Sequence, residues 1–199
     1  MSYEQGEKAK AIDIFDAEVI RGGIAIENAE AHGKFIMEAF DKDGHLKWRE
    51  EFDNLVTTVG KNLALDTFLA GSAYTVVGPF LGLISSVSYT TGPAVGDTMT
   101  SHGGWTEAGG TNAPTYTSPR KTTNGGWNAA SAGSKAITSA AAFAITSAGT
   151  VKGAFLVYGS GAVSTIDNTA GTLYSAGTFA ADKVLGNGDT LNVSYTASL

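Results

Sequence analysis

Between Gly33 and Asp53 the chain reads GKFIMEAFDKDGHLKWREEFD, two alternating runs joined by Asp-Lys-Asp-Gly. A period of two puts successive side chains on opposite faces, so each run is expected to be a strand with one buried face. Phe35, Met37 and Ala39 share one face, and Leu46, Trp48 and Glu50 continue the alternation after the turn. Gly44 supplies the positive φ that a tight connection needs, which predicts a hairpin over 34–52. The alternative is a calcium loop counted from Asp41. Such a loop needs glycine at its sixth position and a bidentate glutamate at its twelfth, where this chain has Leu46 and Phe52. It also needs helical flanks, and these flanks alternate. The spacing therefore favours the hairpin over the calcium site.

The remainder of the chain extends this β-rich reading. PFLGLISSVSY, from Pro79, is a largely apolar strand expected in the middle of a sheet. Five further strands are expected in WNAASA, AITSAAAFAIT, TVKGAFLVYG, GTLYSAGTFA and DTLNVSYTASL, although AAAFA also fits a stub of helix. Turn groups separate them, among them Asp167–Gly171 and Gly186–Asp189. Strands at such spacing point to an antiparallel β-sandwich, immunoglobulin-like or jelly-roll-like. One helix interrupts the pattern, at about 58–70. Thr57 or Thr58 is placed to cap it, Val59, Leu63, Phe68 and Leu69 recur at helical spacing, and Gly71 is placed to end it.

Charge divides the chain. Of 19 Asp/Glu and 13 Lys/Arg, fourteen and eight lie in residues 1–70, so the net charge of −6 belongs to the first third. Beyond residue 70 Gly, Ala, Ser and Thr dominate, yet aromatic and aliphatic residues punctuate the run, unlike a disordered segment. So weakly charged a surface suits a subunit that meets neighbours over much of its area. An acidic chain without a basic stripe argues against nucleic acid as a partner. No cysteine is present, which excludes disulfides and thiolate metal sites. No apolar run approaches the roughly 20 residues that span a bilayer, so membrane insertion is not expected. The first thirty residues lack the layout of a signal peptide, so synthesis in a cytoplasm is expected.

Residues 1–33 carry short apolar pieces broken by Gly22-Gly23. They read either as an N-terminal docking arm or as a first edge strand of the main sheet. In the arm reading, Ile12, Ile14, Phe15, Val19, Ile20, Ile24 and Ile26 are the partner-docking residues. Residues 34–199 then form the β-domain. Within it the region 91–126 is long and rich in turn formers, and a loop of that length is expected to be functional or ordered by a neighbour.

The residues offer little catalytic chemistry. His32, His45 and His102 have no partner at metal-ligand spacing. Asp97, Ser101 and His102 lie close in sequence, but no nucleophile motif accompanies them. No phosphate-binding glycine motif and no carboxylate pair in an aromatic cleft occurs. These readings predict a protein that is not an enzyme and has no metal or cofactor. Trp105, Tyr116 and Trp127 define a possible surface aromatic platform for glycans, weighed against the favoured alternative that they fasten the long loop to the sheet.

The ordered set DKDGHLKW, DNLVTTVGKNLALD, FLGLIS, GDTMTSHGGWTEA, TSPRK, TVKGAFLVYG, GTLYSAGTF and NGDTLNVSYTASL covers about residues 34–199 and resembles a family of small structural proteins of tailed bacteriophages. None of these pieces is a catalytic signature; their order carries the resemblance. It implies a non-enzymatic virion component made in the host cytoplasm, foremost a capsid decoration or cement protein. A tail or head–tail junction component, such as a short tail fibre or its attachment domain, is the alternative, and a glycan-binding module is a further one. The implied partners are capsid or portal-proximal proteins and copies of the chain itself, as a homo-oligomer such as a trimer.

Overall fold

A computed structural model of the chain describes residues 30–69, 77–122 and 126–199. Strand β1 (His32–Phe40) and strand β2 (Leu46–Asp53) form the hairpin that the alternation predicts. Asp41 N–H donates to the His45 carbonyl at 2.9 Å, and Gly44 N–H donates to the Asp41 carbonyl at 3.0 Å. Gly44 has φ +86, the left-handed geometry that glycine adopts without penalty. Asp41 Oδ1 accepts the N–H groups of Asp43 and His45. Its Oδ2 lies 3.3 Å from His45 Nδ1. The backbone N–H of His45 is the main reason the Asp41 carboxyl is held below its ordinary value. The carboxylate of the calcium alternative thus stitches the turn.

β1 lies between β2 and the last strand, β12 (Thr190–Ser198). Phe35 faces Tyr195, Met37 faces Val193 and Ala39 faces Leu191, and all six side chains are buried. This places the first and last described strands side by side at the centre of one sheet. β9 (Ala141–Ser147) continues it, with Phe143 opposite Leu191, and β6 (Thr115–Tyr116) closes that edge. β8 (Ser134–Ala136) pairs with the far end of β12. The stretch AAAFA is therefore strand. WNAASA is not: Trp127 makes an isolated bridge to Ile137, and a turn follows before β8. That piece has one large apolar residue and nothing β-branched, too little to hold a strand.

The second sheet runs β3 (Leu55–Val56), β11 (Thr172–Leu185), β10 (Gly149–Tyr158), β4 (Phe80–Ser85) and β5 (Thr106–Glu107), with β7 (Lys121–Thr122) also on β4. All pairings between the named strands are antiparallel. Among the described residues the protein is thus mainly β, two antiparallel sheets with one short helix, consistent with a β-sandwich. Between Val151↔Lys183 and Gly153↔Thr178, β11 advances five residues while β10 advances two. This bulge turns the end of β11 toward the first sheet. Phe179 meets Phe52 edge-on at 5.1 Å, and the Val184 carbonyl accepts the Trp48 indole N–H at 3.2 Å.

The largest cluster of buried side chains lies between the sheets, around Phe35, Phe143, Leu81, Leu83, Leu156 and Leu191. A second cluster joins Ile84, Phe155 and Leu173 of the second sheet to Met99 and Trp105 of the long loop. The two faces of β4 and β10 serve different clusters, which is why both strands read as continuous apolar runs. The long loop is therefore packed on the outer face of the second sheet through Met99 and Trp105. Inside it Arg120, 1% exposed, grips Glu107 through two hydrogen bonds of 2.7 and 2.6 Å and donates to the carbonyls of Val163 and Asn168. Burial pushes the Glu107 carboxyl up, against the opposing pull of the guanidinium.

Candidate functional site

The helix α1 (Thr58–Leu69) explains where the site lies. Thr57 caps it, its Oγ1 accepting the Gly60 N–H at 3.0 Å and donating to the Leu173 carbonyl. Gly60 lies so close to β11 that a Cβ there would sit 2.2 Å from the Tyr174 carbonyl oxygen. The first turn is thereby pinned to the second sheet. Only Gly60 and Leu63 of α1 are buried. The expected single apolar face does not form: Val59 and Phe68 lie on opposite sides of α1, and Leu65, Phe68 and Leu69 are exposed, Phe68 at 84%.

Beneath this helix an apolar groove of about 510 Å³ opens between the sheets. One wall is Leu156, Tyr158 and Tyr174 of the second sheet, and the opposite wall is Tyr195 and Ala197 of the first. Ala64, Thr67 and Phe68 of α1, with Pro79, Trp127 and Lys135, complete it. The aromatic rings brace one another, Tyr158 edge-on to Tyr174 at 6.3 Å and Trp127 edge-on to Tyr195 at 6.0 Å. Tyr195 OH accepts from Asn54 Nδ2 at 2.8 Å. Burial pushes the phenols of Tyr158, Tyr174 and Tyr195 above their ordinary value, so all three are neutral at physiological pH. Among the described residues Lys135 is the one charged residue lining the groove.

The groove also lies beside the point where the N-terminal segment enters the sandwich. His32 pairs with Ser198 and Gly33 with Ala197, and Ala197 pairs on its other side with Lys135. Residues 1–29 therefore join the fold one strand away from the groove wall.

The aromatic platform does not form. Trp105 is 2% exposed and Tyr116 3%, and they belong to different clusters on different faces of the second sheet. Trp105 takes the anchoring role: its indole N–H donates to Asp97 Oδ2 at 3.0 Å, and it stacks on His102 at 4.0 Å. Trp127 lines the groove. The residues Asp97, Ser101 and His102 do not form a relay either. Asp97 serves Trp105 and the Ala94 N–H, and His102 Nδ1 donates to the Trp105 carbonyl at 3.1 Å. The proposed docking residues Ile12, Ile14, Phe15, Val19, Ile20, Ile24 and Ile26 lie outside the described residues. Among the described residues no helix is long and apolar enough to cross a membrane.

Sequence reasoning missed the groove because its lining is scattered from Ala64 to Ala197. The available signal was the pair Phe68–Leu69 at the end of a capped helix, apolar residues with no facing partner in the pattern. Compared with known families and curated proteins, the chain matches no family model and no curated protein.

Proposed function

We propose that this protein is a non-enzymatic structural subunit of a tailed-phage particle, a capsid decoration fixed to its site through the N-terminal region. The observation that carries the reading is the uncovered apolar surface of α1, continuous with the groove and adjacent to the N-terminal exit. Apolar surface rimmed by polar residues is the mark of an interaction face. The segments that carry the resemblance lie on β-strands, the helix and the turns between them, as they would in a scaffold. A subunit repeated over a lattice needs little from each contact, because many weak contacts act together.

A tail or head–tail junction component would use the same surface and differs in its place on the particle. The glycan reading loses its support with the burial of Trp105 and Tyr116. Quantitative mass spectrometry of purified particles from the phage encoding the chain tests the proposal. The chain is expected in a fixed ratio of many copies to each portal. Its absence from particles overturns the reading.

A further inference from the structure

We propose that the apolar groove beneath α1 is the docking site for the chain's own residues 12–26, which fold back onto it within the same molecule. The position of the exit is the first argument. Gly33 is paired with Ala197, a groove residue, so Ile26 lies seven residues from the wall. An extended chain covers about 3.3–3.6 Å per residue, which puts Ile26 within about 25 Å and gives the whole segment ample reach. A segment on so short a tether is present at an effective concentration in the millimolar range, which favours its own groove over that of a second copy.

Chemistry is the second argument. The segment IDIFDAEVIRGGIAI alternates at Ile12-Asp13-Ile14 and at Ile24-Ala25-Ile26, so an extended piece offers apolar side chains along one face. The groove is lined by aromatic rings and is large enough for a few such side chains. The segment also carries Asp13, Asp16 and Glu18 against Arg21, while the described residues of the groove lining include Lys135 and no carboxylate. Acidic chain therefore meets Lys135 at the rim.

This inference concerns the free chain and stands or falls separately from the virion reading. The test uses the full-length protein with Tyr158→p-benzoylphenylalanine, which keeps an aromatic ring in the groove wall and leaves Lys135 in place. Irradiation in dilute solution followed by peptide mapping is expected to give cross-links within one molecule to residues 12–26. Adding Ile14→Asp and Ile20→Asp should lower their yield about tenfold, because apolar contact is replaced by charges that resist burial. Binding of an apolar fluorescent dye should rise several-fold in the Ile14→Asp/Ile20→Asp chain that carries no photoprobe. Both changes lie outside the described residues, and an unchanged circular dichroism spectrum checks the folding of the sandwich. Cross-links to residues 70–76, cross-links to a second copy in a mixture of light and heavy isotopic chains, or none to residues 12–26 would overturn the proposal.

Discussion

Gly60→Ala isolates the contact that fixes the roof of the groove. In an open helix this change stabilises by about 1 kcal/mol, since glycine is the poorer helix former. Here the new methyl would lie 2.2 Å from the Tyr174 carbonyl oxygen and 2.9 Å from its carbonyl carbon, both backbone atoms in a paired strand. Neither can rotate away as a side-chain tip would. Overpacking of this kind costs about 1–3 kcal/mol. If α1 lifts instead, Leu63 loses its cover, worth about 1.5–3 kcal/mol for a fully buried leucine. A 2.2 Å contact with fixed backbone puts the overpacking cost at about 2–3 kcal/mol, the upper part of its range, and after the propensity gain the net loss is about 1–2 kcal/mol. For a chain of this size that lowers Tm by about 2–8 °C. Asn62→Ala, two residues on and exposed, is the control and should leave Tm unchanged or slightly raised. The assay is thermal unfolding by circular dichroism, with Trp127 fluorescence reporting the groove. A Gly60→Ala protein as stable as the parent, or more stable, would refute the close packing of α1 on β11.

Three other outcomes follow from the same geometry. Glu107→Gln leaves the buried Arg120 guanidinium without its counter-charge and should cost about 3–5 kcal/mol in urea unfolding, whereas Glu107→Leu with Arg120→Met should cost much less. A single substitution that unfolds near the parental midpoint would show the pair to be solvated. Tyr116, Tyr158, Tyr174 and Tyr195 all have pKa values raised by burial, so the folded state holds these protons more tightly than the unfolded chain. Their stability contribution is complete below the ordinary phenol value of about 10 and is lost as pH climbs from there through the folded values. Alkaline titration should show four late phenols that ionise together with unfolding, and smooth titration of all seven tyrosines near the ordinary value contradicts this. Phe68→Asp should change stability by no more than about 0.5 kcal/mol, because the side chain is exposed, yet weaken attachment to particles in a co-sedimentation assay. Undiminished attachment would remove α1 from the interface.

The hairpin and the helix were legible because each has a local cause, Asp-Gly between alternating runs and a threonine before a helical recurrence. What stayed hidden depends on distant partners. The pairing of β1 with β12 joins Phe35 to Tyr195 across nearly the whole chain, and no spacing announces it. The bulge in β11 is equally silent, since Phe179–Asp182 reads as ordinary strand and turn until Phe52 and Trp48 are brought opposite. The outer layer could have been anticipated in part. Arg120 and Glu107 are two of only ten charged residues beyond residue 70, in a stretch rich in small and turn-forming residues. Charges retained in such surroundings are expected to pair. Trp105, read as either platform or anchor, is decided by Asp97, which takes its indole N–H.

Imaging intact particles by cryo-electron microscopy and locating this chain tests the central claim most directly. The account predicts density for the sandwich repeated over the capsid lattice, with the α1 end and the N-terminal exit turned toward the shell. Density confined to the unique vertex would contradict capsid decoration and assign the chain to the tail or its junction, and particles without it would contradict the virion reading altogether.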